Sequence, residues 1–238
     1  NNYFSCALLD DGTIKCWGDA AGGQLGEGSS SGYFSTPQLV TGISTAVQVE
    51  AGRDFTCALL ADRTVKCWGD GTNGKLGYGS TTSQNTPVTV SGVSEAIQIS
   101  AGYLHACALI SDGSIRCWGD GTYARMGDGF SNTSNATPVP VSGIASAVQV
   151  TAGYTHSCAL LDDGTMKCWG NGDVGQLGDG DNTVHTEDSP VAVSGLTSVT
   201  NISAGGNTSC ALFSDGTAQC WGEGSNGELG DGNTADNA

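Results

Sequence analysis

The sequence predicts an all-β chain built as a β-propeller, with five repeats of about 50 residues visible and one Cys–Cys hairpin staple in each. Three observations carry this expectation. Trp17, Trp68, Trp118, Trp169 and Trp221 stand 51, 50, 51 and 52 residues apart. A Cys pair ten positions apart brackets one turn in every interval. Between these marks, apolar residues alternate with a period of two, which excludes a helical solenoid. The repeats run approximately over 1–45, 46–95, 96–146, 147–198 and 199–238, as a single propeller domain or part of one.

Within a repeat, four strand-length segments follow in order. The first is of the AVQVEAG type. The second is Cys-Ala-Leu-Leu, apolar on both faces, as a sheet sandwiched between neighbouring sheets requires. The third is the Lys-Cys-Trp-Gly strand, and the fourth is led by Pro, as in TPVTVSG. Four short strands cannot bury both faces of their own sheet, so successive repeats must stack, and radial stacking gives a propeller. A parallel β-helix is the alternative architecture, but its coils are shorter and seldom carry an Asp-Gly hairpin in every repeat.

The hairpin fixes the cysteines. With Asp10-Asp11-Gly12 as a three-residue loop and Gly12 left-handed, Leu9 faces Thr13, Leu8 faces Ile14, Ala7 faces Lys15 and Cys6 faces Cys16. That pair falls at a non-hydrogen-bonded position, where Cα atoms approach to about 4.5 Å, within reach of a disulfide. The same register gives Cys57–Cys67, Cys107–Cys117, Cys158–Cys168 and Cys210–Cys220, and no Cys is left over. Zinc knuckles space their Cys more closely and add His partners, so structural disulfides and an oxidising, secreted or cell-surface location are expected. Arg63 replaces the turn Gly in the second repeat and predicts local strain or a changed turn there.

The phrases CALLDDGTIKCWG and GQLGDG, with the Ala-Gly-x-x-His approach at 101–105 and 152–156, resemble the regulator of chromosome condensation repeat family over essentially the whole chain. The resemblance implies turn glycines at Gly26, Gly77, Gly127, Gly178 and Gly230, Trp-Gly pairs that pack blades together, and a ring usually of seven blades. Light-sensing members gather Trp just after the Ala-Gly step. Here those positions hold Arg53, Tyr103, Tyr154 and Gly206, so that activity is not expected. Nucleotide exchange on a nuclear GTPase needs a reducing compartment, against which the cysteines argue.

The net charge of −16, with eight Lys and Arg, excludes a nucleic-acid partner, and no apolar run is long enough for membrane insertion. Half of the basic residues, Lys15, Lys66, Arg116 and Lys167, share one strand position, occupied by Gln219 in the fifth repeat, and read as a solvated stripe beside acids. His105 and His156 occupy equivalent positions, which suits a structural hydrogen bond. Between the glycine turn and the Pro-led strand lie the most variable segments, 28–36, 79–86, 129–137 and 180–189, emerging from one face. They present Tyr33, Phe34 and Phe130, with Tyr78 just ahead of the second, as binding candidates without an evident core role. His185 joins them, in a loop whose Asp179, Asp181, Glu187 and Asp188 offer oxygens to calcium, although the spacing fits no EF-hand. No other cofactor is implied. Sequons at Asn132, Asn135 and Asn207 are candidate glycosylation sites, while Asn201 falls in an expected strand.

No catalytic centre is named by this pattern. The leading expectation is a secreted or surface module, not an enzyme, that binds a protein or glycan partner through its variable face. A structural subunit of a filament, sheath or surface layer, made of copies of itself, is the alternative. An enzyme with an axial site is a third, distinguished by acidic side chains converging on the axis. The first repeat lacks its first strand and the last repeat its fourth, so these strands are expected from flanking repeats of a longer parent or from a neighbouring subunit.

Overall fold

A computed structural model describes residues 3–181 and 183–237. Among them, eighteen strands form five antiparallel sheets. The first holds β1 (Phe4–Leu8), β2 (Ile14–Asp19) and β3 (Tyr33–Leu39). Three four-stranded sheets follow. They contain β4 (Ala46–Ala51), β5 (Phe55–Leu60), β6 (Val65–Gly69) and β7 (Gln84–Thr89); then β8 (Ala96–Ala101), β9 (His105–Ile110), β10 (Ile115–Gly119) and β11 (Asn135–Pro140); then β12 (Ala147–Ala152), β13 (His156–Leu161), β14 (Met166–Asn171) and β15 (Thr186–Ala192). The fifth has β16 (Val199–Gly205), β17 (Thr208–Phe213) and β18 (Ala218–Gly222). Each sheet is a meander of neighbouring strands, the blade expected from the repeat.

The hairpin register follows from the turn. Leu9 N–H donates to Thr13 O and Gly12 N–H to Leu9 O, each at 2.9 Å, with Gly12 at φ +78°. Asp11 Oδ1 accepts from the Thr13 hydroxyl at 2.6 Å and from Thr13 N–H at 3.0 Å. Counting back, Cys6 faces Cys16 with Cα atoms 4.1 Å apart, and all five pairs are bonded. Of the two outcomes expected at Arg63, the turn keeps its form, with Leu60 N–H to Thr64 O and Arg63 N–H to Leu60 O at 2.9 Å, and Arg63 takes the left-handed conformation at φ +65°.

The core lies between blades rather than within them. Ile14, Leu25 and Val40 of the first blade pack against Ala58, Leu60 and Trp68 of the second, and the pattern repeats around the array. Trp68 is fully buried and donates its indole N–H to Gln24 O, one blade back, at 3.0 Å; Trp118 and Trp169 repeat this with Lys75 O and Arg125 O at 2.9 Å. Gly26 is needed beneath that ring, since a Cβ there would stand 2.6 Å from Trp68 Nε1. A second blade-to-blade link lines the inner strands. Gln48 Nε2 donates to Ile99 O at 2.8 Å while Ile99 N–H donates to Gln48 Oε1 at 3.0 Å, and Gln149 clamps Ile202 in the same way.

The fourth strand departs from the expected boundary. β3 begins at Tyr33, before Pro37, because Pro lacks only its own N–H and an outer edge strand tolerates that loss. The ends of the variable segments are therefore strand, not loop. Phe34 pairs with Gly18 and packs on the first interblade core, and Tyr78 packs on the second, correcting the expectation that both lack a core role.

Candidate functional site

The register sets which features share a face. Gly69 pairs with Phe55 on one side and Gln84 on the other, so the β4–β5 turn and the segment leading into β7 leave the same end of the sheet. The disulfide hairpins lie at the opposite end. The variable segments and the turns after each Ala-Gly step thus form one surface.

Inner strands β4, β8, β12 and β16 pack in sequence, and their Ala-Gly ends converge. A Cβ on Gly102 would lie 2.4 Å from Gly153 O, so close passage of the turns depends on glycine there. The residues after the Ala steps make a backbone ladder across four successive blades. Arg53 N–H donates to Tyr103 O at 3.0 Å, Tyr103 N–H to Gly153 O at 3.2 Å, and Tyr154 N–H to Gly206 O at 2.8 Å. Side chains follow the backbone: the Tyr103 and Tyr154 rings are 4.5 Å apart at 38°, and the Arg53 guanidinium sits 4.9 Å from the Tyr103 centroid. The ladder borders a cavity of about 260 Å³ lined otherwise by Ala and Gly of the four inner strand ends. An adjoining concavity adds Tyr3, Asp19 and Asp54, with Asp54 Oδ2 3.3 Å from Arg53 Nε. Among the described residues, no carboxylate or His lines the 260 Å³ cavity, so the acid pair an axial enzyme would use is not assembled there. The group presents flat, half-exposed π faces, a cation and a rim of carboxylates. The sequence does show its residues after each Ala-Gly step, but only the turn of the propeller brings them into contact.

The histidines below the ladder are structural. His105 and His156 are fully buried, each with Nε2 2.8 Å from a hydroxyl one blade ahead, Ser157 and Ser209 respectively. Ser209 donates its only hydroxyl proton to Gln176 O at 2.9 Å, so His156 Nε2–H is the donor to Ser209. Burial lowers the His156 pKa to about 4 and pushes His105 well below the usual value, with Arg125 and His156 adding to the latter.

The other expected site residues do not converge. Tyr33 and Phe130 are 80% and 67% exposed on different blades, and Tyr78 spends its hydroxyl on Thr82 O at 2.8 Å. His185 lies beside Asp179, with Nε2 3.1 Å from Asp179 Oδ2 and Nδ1 2.7 Å from Thr183 O. Burial lowers its pKa, but the Thr183 carbonyl and Asp179 outweigh this and the net shift is upward. The structure gathers Asp179, His185 and Glu187, a different set from the four carboxylates named for calcium. Asp181 Oδ1 instead accepts from Thr183 N–H at 2.8 Å, and Asp188 Oδ1 from the Ser189 hydroxyl at 3.2 Å. Lys15, Lys66, Arg116 and Lys167 run along the middle strands; hydroxyl and N–H bonds from the Thr or Ser two residues on chiefly hold each hairpin Asp below the usual carboxylate range, and the nearby Lys or Arg adds to this. Asn132 is exposed at φ +63°; Asn135 is in β11, with Nδ2 donating to Thr133 O at 3.1 Å, and Asn207 Nδ2 donates to Glu223 at 3.1 Å. Asn201 lies in β16 as expected.

Sequence reasoning missed two buried ion pairs beneath the same face, Lys75–Asp70 at 2.6 Å and Arg125–Asp120 at 3.9 Å. Burial of Asp70 is outweighed by the Lys75 ammonium and Thr72, which hold its carboxyl below the usual range. The neutral Gln176–Asn171 pair takes this place in the fourth blade at 3.3 Å, while the first and fifth repeats hold Asp19 with Gln24 and Glu223 with Glu228, so the charge pairing belongs to the second and third blades.

No helix among the described residues is long and apolar enough to cross a membrane. The model of the RCC1-like domain family matches residues 1–238. The human E3 ubiquitin-protein ligase HERC2 is 32% identical over 232 residues, 95% of this chain and 4% of the ligase. The crystal structure of human WBSCR16 superposes with a TM-score of 0.89 at 25% identity, covering 99% of this chain and 63% of that one. Prp20p from Saccharomyces cerevisiae, described with its binding to Gsp1p and histones, superposes with a TM-score of 0.87 at 23% identity, covering 100% of this chain and 60% of that one. The chain thus spans less than two thirds of each of these relatives.

Proposed function

Since the chain belongs to the family of RCC1-like domains, we propose that it is an extracellular, non-enzymatic propeller that holds a protein partner on the face carrying Arg53, Tyr103 and Tyr154. The ladder is the observation that carries this reading. Arg and Tyr presented on a rigid floor lose little conformational entropy on binding and dominate the centres of protein interfaces. Gly-lined backbone beneath the rings supplies that floor. Around it, the variable segments of successive blades give a rim whose sequence can change without disturbing the core.

Three further observations support the reading. A protein partner agrees with the Gsp1p and histone binding described for Prp20p. Five disulfides and no free Cys among the described residues suit an oxidising compartment. The charge of −16 favours a partner with a basic surface, accelerating encounter more than it tightens the complex.

The test is affinity enrichment from the native extracellular milieu with the wild-type chain, an Arg53→Ala/Tyr103→Ala/Tyr154→Ala variant and a Lys66→Ala/Arg116→Ala variant. A specific protein is expected with the wild type and the second variant and lost with the first. Equal capture by all three would contradict the assignment of the face, and binding confined to immobilised glycans would contradict the partner class.

A further inference from the structure

We propose that Asp179, His185 and Glu187 form a binding site for a divalent transition-metal ion of the zinc type on the variable segment of the fourth blade. Their ligating atoms all lie within 4.8 Å of one another. His185 Nε2 and Asp179 Oδ2 are 3.1 Å apart, near the edge of roughly 3.3 Å that a tetrahedron with bonds of about 2.0–2.1 Å requires. Both side chains are only 14% exposed, so they are held rather than waving in solvent.

The chemistry of the imidazole points to a cation. Nδ1 lies 2.7 Å from Thr183 O, and a carbonyl only accepts, so Nδ1 carries the proton. In the neutral ring, the Nε2 lone pair therefore faces the Asp179 carboxylate, which also only accepts. Two acceptors at this distance require a cation between or beside them. A proton on Nε2 is one answer, and a metal ion is the other. The Nδ1–carbonyl bond lies outside the ligand set and is the support that orients metal-binding histidines generally.

Each ligand is also anchored by its own chain. Asp179 Oδ1 accepts from Asp181 N–H at 3.1 Å, which leaves Oδ2 for the site, and Ser194 Oγ fixes the Asp179 carbonyl at 2.8 Å. Glu187 stands in β15, paired with Gly170. Beneath the ring lies Gly172, where a Cβ would come within 2.3 Å of His185 Nε2. The third blade provides an internal contrast: Asp128 accepts from Phe130 N–H at 3.2 Å in the equivalent turn, but its segment contains no His. One nitrogen and two carboxylate oxygens suit zinc and its first-row neighbours, whereas calcium seeks six to eight oxygens.

The chain offers a low background for the test. It has three His, of which His105 and His156 are fully buried, and no free Cys among the described residues. The full disulfide-bonded chain, stripped with chelator, is titrated with zinc chloride calorimetrically near neutral pH, with calcium chloride in parallel. One equivalent of zinc is expected to bind, with affinity reduced roughly tenfold or more in His185→Ala, reduced in Glu187→Gln and unchanged in Asp128→Asn. Imidazole ¹⁵N spectra should show zinc acting on His185 Nε2 with Nδ1 still protonated. Zinc binding equal in His185→Ala, calcium binding as tight as zinc, or no saturable zinc binding with Nε2 simply protonated would each overturn the proposal. A folded His185→Ala chain, checked by circular dichroism, keeps loss of binding distinct from loss of structure.

Discussion

His156 reaches across a blade boundary to place Nε2 2.8 Å from Ser209 Oγ, and Ser209 passes its own proton to Gln176 O in the preceding turn. This relay joins β13 and the turn after β14 in the fourth blade to β17 of the fifth without a charge. Its sign with pH follows from the lowered pKa of about 4 against 6.5 for the free side chain. Between those values the unfolded chain binds the proton and the folded chain does not, so stability is complete above about pH 6.5 and falls as pH drops toward 4. His156 alone accounts for about 3 kcal/mol of that fall. His105 acts in the same direction, while His185, with its raised pKa, acts oppositely. Urea unfolding of wild type and His156→Gln between pH 7.5 and 4.5 isolates the contribution: the variant is expected to lose a smaller part of its stability over that range.

Gln149 replaces a missing strand pairing between the fourth and fifth blades with two hydrogen bonds to Ile202. Gln149→Ala leaves the Ile202 N–H and carbonyl unpaired at a part-buried position and is expected to cost about 1–3 kcal/mol by denaturant unfolding. Gln149→Glu should retain the Ile202 N–H bond but lose the donor to its carbonyl, and fall between wild type and Ala.

Arg63 and Gly12 occupy equivalent turn positions with different surroundings. At φ +65° Arg63 is strained, and its ion pair to Glu95 is exposed, so Arg63→Gly is expected to be neutral or to stabilise by up to about 1 kcal/mol. The reverse change, Gly12→Arg, places a Cβ 2.7 Å from Ser44 O and should destabilise clearly. Thermal melting of the two single variants provides the comparison.

The Cys107–Cys117 bridge closes a short hairpin whose sulfurs are buried. Replacing both with Ser is expected to cost about 2–3 kcal/mol in the loop-entropy account, read as a lower unfolding midpoint under non-reducing conditions.

The staple and the blade were legible because they are local. Asp11, Gly12 and the ten-residue Cys spacing specify a register by counting, and five copies repeat the count. The beginning of the fourth strand was not, because Pro37 reads as a boundary although an edge strand accommodates it. Phe34 consequently looked like a loop aromatic when it is half-buried packing, whereas Tyr78, in the turn ahead of its segment, packs on the second interblade core without belonging to a strand. The ladder was hidden for another reason. Arg53, Tyr103 and Tyr154 are separated by about 50 residues, and only the rotation between blades, which depends on how Trp, Gly and Gln interlock, brings their side chains together. His185 was visible as an exception, yet its partners depended on side-chain directions within an irregular segment.

A photo-crosslinking amino acid placed singly at Tyr154, and separately at Asp163 in a hairpin at the opposite end of the blades, measures most directly which face carries the partner. After irradiation in the native extracellular setting, the account expects one discrete protein adduct from position 154, abolished by Arg53→Ala/Tyr103→Ala, and none from position 163. Adducts of the same protein from position 163 alone, or no dependence on Arg53 and Tyr103, would contradict it.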